Sequence, residues 1–106
     1  MTMTPYLVLI FGGKRPANEA EFAAIVESWS TWGDELGETM VDLGNPFSHA
    51  KTITADSVQD GVEGEQASGY CIIRAANMAE AVKLTQGSPS VAQGGRVEIY
   101  EVFKVL

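Results

Sequence analysis

The sequence predicts an α+β fold, a ferredoxin-like sandwich with helices on one side of a sheet. Three observations predict it. Two halves each read strand, helix, strand. Both helices open on the same Asn-x-x-Glu signal, at Asn18 and at Asn77. The first strand is apolar on both parities, which marks a sheet covered on both faces.

Tyr6 to Phe11 is a continuous run of strand formers. A chain of 106 residues makes one domain, 1–106, and its helices suffice for one sheet face. The other face needs a second sheet, which a two-fold mate supplies most simply. "GGKRPAN" then breaks the chain. Asn18 is a good N-cap because its side-chain oxygen accepts a first-turn N–H, and Glu21 lies three residues on. Phe22, Val26, Trp29, Trp32 (or Gly33) and Leu36 form one apolar stripe, and Gly37 stops the helix.

Thr39 to Leu43 reads as the second strand, ended by a Gly44-Asn45-Pro46 turn. Lys51 to Ala55 is a short alternating strand. The acidic segment "DSVQDGVEGEQASG" reads as a loop with a hairpin tip at Asp60-Gly61. Gly69 to Ala75 is the third main strand. A second helix follows Asn77, with Glu80 in the capping position and Met78, Ala81, Val82 and Thr85 facing inward; Gly87 and Pro89 end it. After a Gly94-Gly95 turn, Arg96 to Val105 is the final strand.

Composition excludes several functions. Hydrophobic residues are 45% of the chain and the net charge is −7, with no Lys/Arg cluster, so neither nucleic acid nor an anionic membrane is an expected partner. The N-terminus has no basic leader, so the cytoplasm is the default location. The single cysteine, Cys71, sits in an apolar strand and reads as a small buried hydrophobe. One histidine with scattered acids has no metal-ligand spacing, the glycine pairs make no phosphate loop, and there is no serine elbow. No cofactor is expected.

"WGDELGETMVDLGNPFSHAKTI", "SGYCIIRAANMAEAVKLTQGSP" and "GGRVEIYEV", in that order, resemble the YCII-related proteins, which include YciI-like and DGPF-type domains. The resemblance implies a dimeric α+β barrel of ferredoxin-like subunits. It also implies a histidine near the start of the first helix and an aspartate before the proline that follows the second. Here Asn18 and Ser88 stand at those places, and neither titrates near neutral pH, so the family's His–Asp chemistry is not expected. The Asp-Gly-Pro-Phe signature is absent too. Some DGPF-type relatives accompany sigma factors, so the resemblance also implies a protein partner.

The candidate residues lie around "MVDLGNPFSHAKT". Asp42, Asn45 and His49, with Lys51, offer a carboxylate, an amide, a base and a cation. Trp32 is expected to line a cavity beside them, and Trp29 to pack in the core. The first expectation is a homodimeric small-molecule-binding or accessory protein with Trp32, Asp42, Asn45 and His49 on a pocket rim. The second is an enzyme with His49 as base and Asp42 or Glu101 as orienter. The third is a structural or regulatory dimer. Glu101 interrupts an apolar parity and needs a partner or a pocket, unless a strand twist or dimer edge exposes it; Arg74, on the neighbouring strand of the predicted sheet, is a candidate partner.

Overall fold

The computed structural model describes residues 2–12 and 15–105. Part of the glycine–proline break, Gly13 and Lys14, lies outside the described residues. The chain is a mixed α+β fold. In order it forms β1 (Thr4–Phe11), α1 (Glu19–Leu36), β2 (Met40–Pro46), β3 (Lys51–Ile53), β4 (Val58–Asp60), β5 (Gly69–Ala75), α2 (Met78–Gln86), α3 (Pro89–Ala92) and β6 (Arg96–Glu101), with a 3-10 turn at Gly37–Thr39. Four strands make one sheet in the order β2-β5-β1-β6, and β3 and β4 make a separate hairpin. All pairings in both sheets are antiparallel.

Both long helices start as their sequences dictate. Asn18 Oδ1 accepts the Glu21 N–H at 2.9 Å, and Glu21 reaches back to the Ala17 N–H at 2.7 Å. Asn77 repeats the device: its Oδ1 accepts the Glu80 N–H at 2.9 Å, and Glu80 accepts the Ala76 N–H at 3.3 Å. The two caps satisfy donors the first turn leaves orphaned. Gly37, at φ 57°, ends α1. Ser88 and Pro89 then start the short α3, which the sequence reading lacks, although Pro at the first helical position is a start signal.

The core lies on one face of the sheet. Tyr6 pairs with Ile73 and Val8 with Cys71, so these four share a face. Together with Ala75 they cluster with Trp32 of α1 and Ala81 of α2. Leu7 and Leu9 of β1 and Tyr70 and Ile72 of β5 point to the opposite face and stay half-buried. Among the described residues no helix covers them, and the molecule is a slab of 45 × 42 × 20 Å. Its radius of gyration is 15.2 Å, against about 13 Å for a compact chain of ~100 residues. Phe22 and Val26, expected in the inward stripe of α1, are 54% and 47% exposed. On α2, Ala81 and Thr85 are buried, whereas Met78 and Val82 face outward.

Three expected boundaries are corrected. The Gly44-Asn45-Pro46 segment does not end the second strand; β2 runs through it with irregular register on both sides of Asp42. Gly44 has φ 78°, and a Cβ built there would fall into the Tyr70 carbonyl. The glycine is thus needed by a bulge, not by a terminal turn. The hairpin tip is Thr54–Ser57, where the Thr54 N–H donates to the Ser57 carbonyl at 2.9 Å; Gly61 marks the hairpin's exit, its N–H donating to the Ala50 carbonyl. The final strand stops at Glu101: the Val102 N–H still bonds the Pro5 carbonyl opposite it, but Pro5 has no N–H to return the bond. Phe103 and Val105 beyond it are 81% and 74% exposed. Among the described residues no helix is long and apolar enough to cross a membrane.

Gly44→Ala is expected to cost about 3 kcal/mol or more in urea unfolding, since it adds backbone overlap to left-handed strain. Gly61→Ala, with φ 76° and nothing within 4 Å of the new Cβ, should cost only about 1 kcal/mol. Equal losses would contradict the bulge. Burial, with the Asp42 carboxylate adding to it, pushes the Cys71 thiol from 9.0 up to about 12. The folded value is raised, so the associated stability is present below pH 9 and fades as pH rises toward 12. At pH 8 the native thiol should react with a disulfide reagent about a thousandfold slower than in denaturant. Reaction at the denatured rate would overturn that.

Candidate functional site

The expected site residues fall into two groups on opposite sides of the sheet. Asp42 pairs with Ile72 and Asn45 with Tyr70, which puts both on the face without helices. The bulge at Gly44 sets this orientation: Asp42 Oδ1 accepts the Gly44 N–H at 2.9 Å, holding its other oxygen toward the Tyr70 hydroxyl at 3.5 Å. The Tyr70 ring stacks on Phe47 at 5.6 Å, with 14° between planes. Asp42, Asn45, Phe47 and Tyr70 thus make an acidic and aromatic ledge at the β2 edge. Phe47 is a member that sequence reasoning missed. Its only signal was an aromatic next to the polar cluster.

His49 is exposed, and its Nδ1 lies 3.3 Å from the neighbouring Ser48 hydroxyl. Its recorded side-chain hydrogen bond is with Ser48, and those of Asp42 are with Gly44 and Tyr70, so the two are not joined. Lys51 pairs with Asp60 across the hairpin, with both groups well exposed. Such a pair adds little stability.

Glu101 is not the partner of Arg74. Strand β1 lies between β5 and β6, and Arg74 is exposed on the face opposite Tyr6. Glu101 instead pairs across β1 with Tyr6 and accepts its hydroxyl at 3.2 Å. Burial, then this hydrogen bond and the charge of Glu101, push the Tyr6 phenol above its ordinary value of 10.0. The carboxylate that breaks the apolar parity therefore satisfies a buried phenol.

Trp32 lies on the other side. It is 4% exposed, packs in the core, and meets Trp29 edge to face at 5.5 Å and 83°. It also floors an open cleft of about 470 Å³ between α1 and α3, with Glu27, Ser28, Thr31, Glu35, Gly87 and Gln93 among its walls. A cavity beside Trp32 was expected, but the structure does not bring Asp42, Asn45 or His49 to it. Asn18 and Ser88, where the resemblance would put a histidine and an aspartate, are helix caps here, and the buried Ser88 hydroxyl has no partner among the described residues. Among the described residues no three His, Cys, Asp or Glu side chains converge to hold a metal.

No family model matches the chain, and no curated protein matches it closely enough to count as a relative.

Proposed function

We propose that the protein is a homodimer of ferredoxin-like subunits that pair through their open sheet faces, of the YCII-related kind, and that it binds a small molecule at the rim of the pairing. The observation that carries this reading is the uncovered apolar face made by Leu7, Leu9, Tyr70 and Ile72. A contiguous apolar patch on a sheet face is the kind of surface that marks a contact with another molecule. The strand order β2-β5-β1-β6, with α1 and α2 on the two crossing connections, supports the ferredoxin-like part. A second copy fits the face because two-fold pairing matches like strand with like.

The ledge of Asp42, Asn45, Phe47 and Tyr70 lies at the margin of that face and stays open to a ligand. Its chemistry suits recognition rather than proton transfer. Asp42 is committed to Gly44 and Tyr70, and His49 stands apart from it. The enzyme reading would need His49 to move onto a carboxylate. A structural or regulatory dimer would use the same face and no ligand.

Light scattering at micromolar concentration should give twice the 11.4 kDa chain mass. Leu9→Glu should give the monomer mass with its secondary structure retained, since pairing would bury an unpartnered charge. A stable wild-type monomer would sink the dimer. A thermal-shift screen of metabolites tests the binding half: a ligand at about 100 times its Kd should stabilise by about 2.7 kcal/mol. A dimer that no ligand stabilises would support the structural reading instead.

A further inference from the structure

The hairpin of β3 and β4 stands apart from the rest of the chain. Its strands pair only with each other, and among the described residues it packs on no other helix or strand to any extent. An isolated two-stranded hairpin is marginal in water. Ile53 pairs with Val58, so both side chains lie on one face, and they are 73% and 65% exposed. The hairpin continues the β2–β5 ladder off one corner of the sheet. The Phe47 N–H still bonds the Ser68 carbonyl, and the Gly61 N–H the Ala50 carbonyl.

A second exposed apolar segment is the tail after β6, with Phe103 and Val105. In the order β2-β5-β1-β6 it leaves the opposite edge strand. It also leaves the opposite end, beside Pro5, whereas the hairpin leaves beyond Pro46 and Gly69. Hairpin and tail therefore mark diagonal corners of one sheet. A two-fold axis between two stacked sheets, at right angles to the line joining these corners, exchanges them. The hairpin of each copy then meets the tail of the other. Their charges match as well: Asp56 at the hairpin tip and Lys104 in the tail are exposed, opposite in sign, and in no ion pair among the described residues.

We propose that the β3–β4 hairpin is an arm that clasps the tail of a second copy. Ile53 and Val58 pack on Phe103 and Val105, and Asp56 meets Lys104. The contact occurs twice in the dimer, since each copy gives an arm and receives one. It buries apolar side chains that the single chain leaves in water, and it gives the isolated hairpin something to pack on. The inference rests on the proposed pairing of open faces and goes further, because it selects the symmetry axis of that pairing.

Cross-linking between chains that each carry one added thiol reads the contact directly. The native Cys71 is buried and stays silent. Full-length Val58→Cys and Val105→Cys chains, one of them ¹⁵N-labelled, are mixed, left to exchange copies, and treated with a short bis-maleimide. The hairpin-to-tail product should dominate, whereas either chain alone should give little cross-linked dimer. The double variants Ile53→Ser/Val58→Ser and Phe103→Ser/Val105→Ser should each raise the dimer Kd about a hundredfold or more while the backbone spectrum stays native. A dimer that cross-links hairpin to hairpin, or not at all, overturns this proposal and leaves the pairing of faces standing. So does a dimer whose Kd neither double variant changes. A wild-type chain that stays monomeric overturns both.

Discussion

The structure depends on a mismatch between its sheet and its helices. Strands β1 and β5 carry apolar side chains on both faces, and the helices cover only one. On the covered side Tyr6, Val8, Cys71 and Ile73 are essentially inaccessible. On the other, residues one position along the same strands remain half in water. The 20 Å thickness follows from this, since it is about one sheet and one helix layer. A protein this thin has little interior to place a site in. Its candidate surfaces are therefore a face, an edge and a groove.

The bulge at Gly44 decides what the edge presents. A left-handed residue there lets β2 carry Asp42 and Asn45 on the open face while Leu43 packs toward Gly33 of α1. The same distortion locks the Asp42 carboxylate to the Gly44 N–H and turns it toward Tyr70. Local backbone geometry thus separates Asp42 from Trp32, although a sequence-level picture puts them on one rim. His49, three residues past the strand, bonds through its ring to the neighbouring Ser48 alone among the described residues. The two sides of the sheet then differ in kind. One offers an apolar face with an aromatic and acidic ledge, and the other an open acidic groove floored by Trp32.

Much of this was legible in the residues. The Asn caps of both long helices, the glycine stop of α1 and both ends of β5 depend on near neighbours in sequence, and local chemistry specifies them. The Gly44-Asn45-Pro46 segment misled because a turn and a bulge ask for the same residue at positive φ; only the pairing of β2 with β5 tells them apart. Val58–Asp60 is three exposed residues with no alternation, and its strand character comes from its partner Lys51–Ile53. The mate of Glu101 was missed because strand order is a long-range property, and β1 intervenes before Arg74. Periodicity and capping signals mark the strands and helices, and the resemblance to YCII-related proteins is drawn on that pattern. It implies no chemistry here, since Asn18 and Ser88 stand where the resemblance would put the histidine and the aspartate.

The central claim is that the uncovered sheet face is a contact between copies. Its most direct measurement is an isotope-filtered NOE experiment on a mixture of methyl-labelled and unlabelled chains. The account predicts intermolecular NOEs from the methyls of Leu7, Leu9 and Ile72 to the aromatic protons of Tyr70 or Tyr100 in the other copy. If those methyls show no intermolecular NOE and are instead relaxed by a soluble spin label at every concentration, the face is open to water and the account is contradicted.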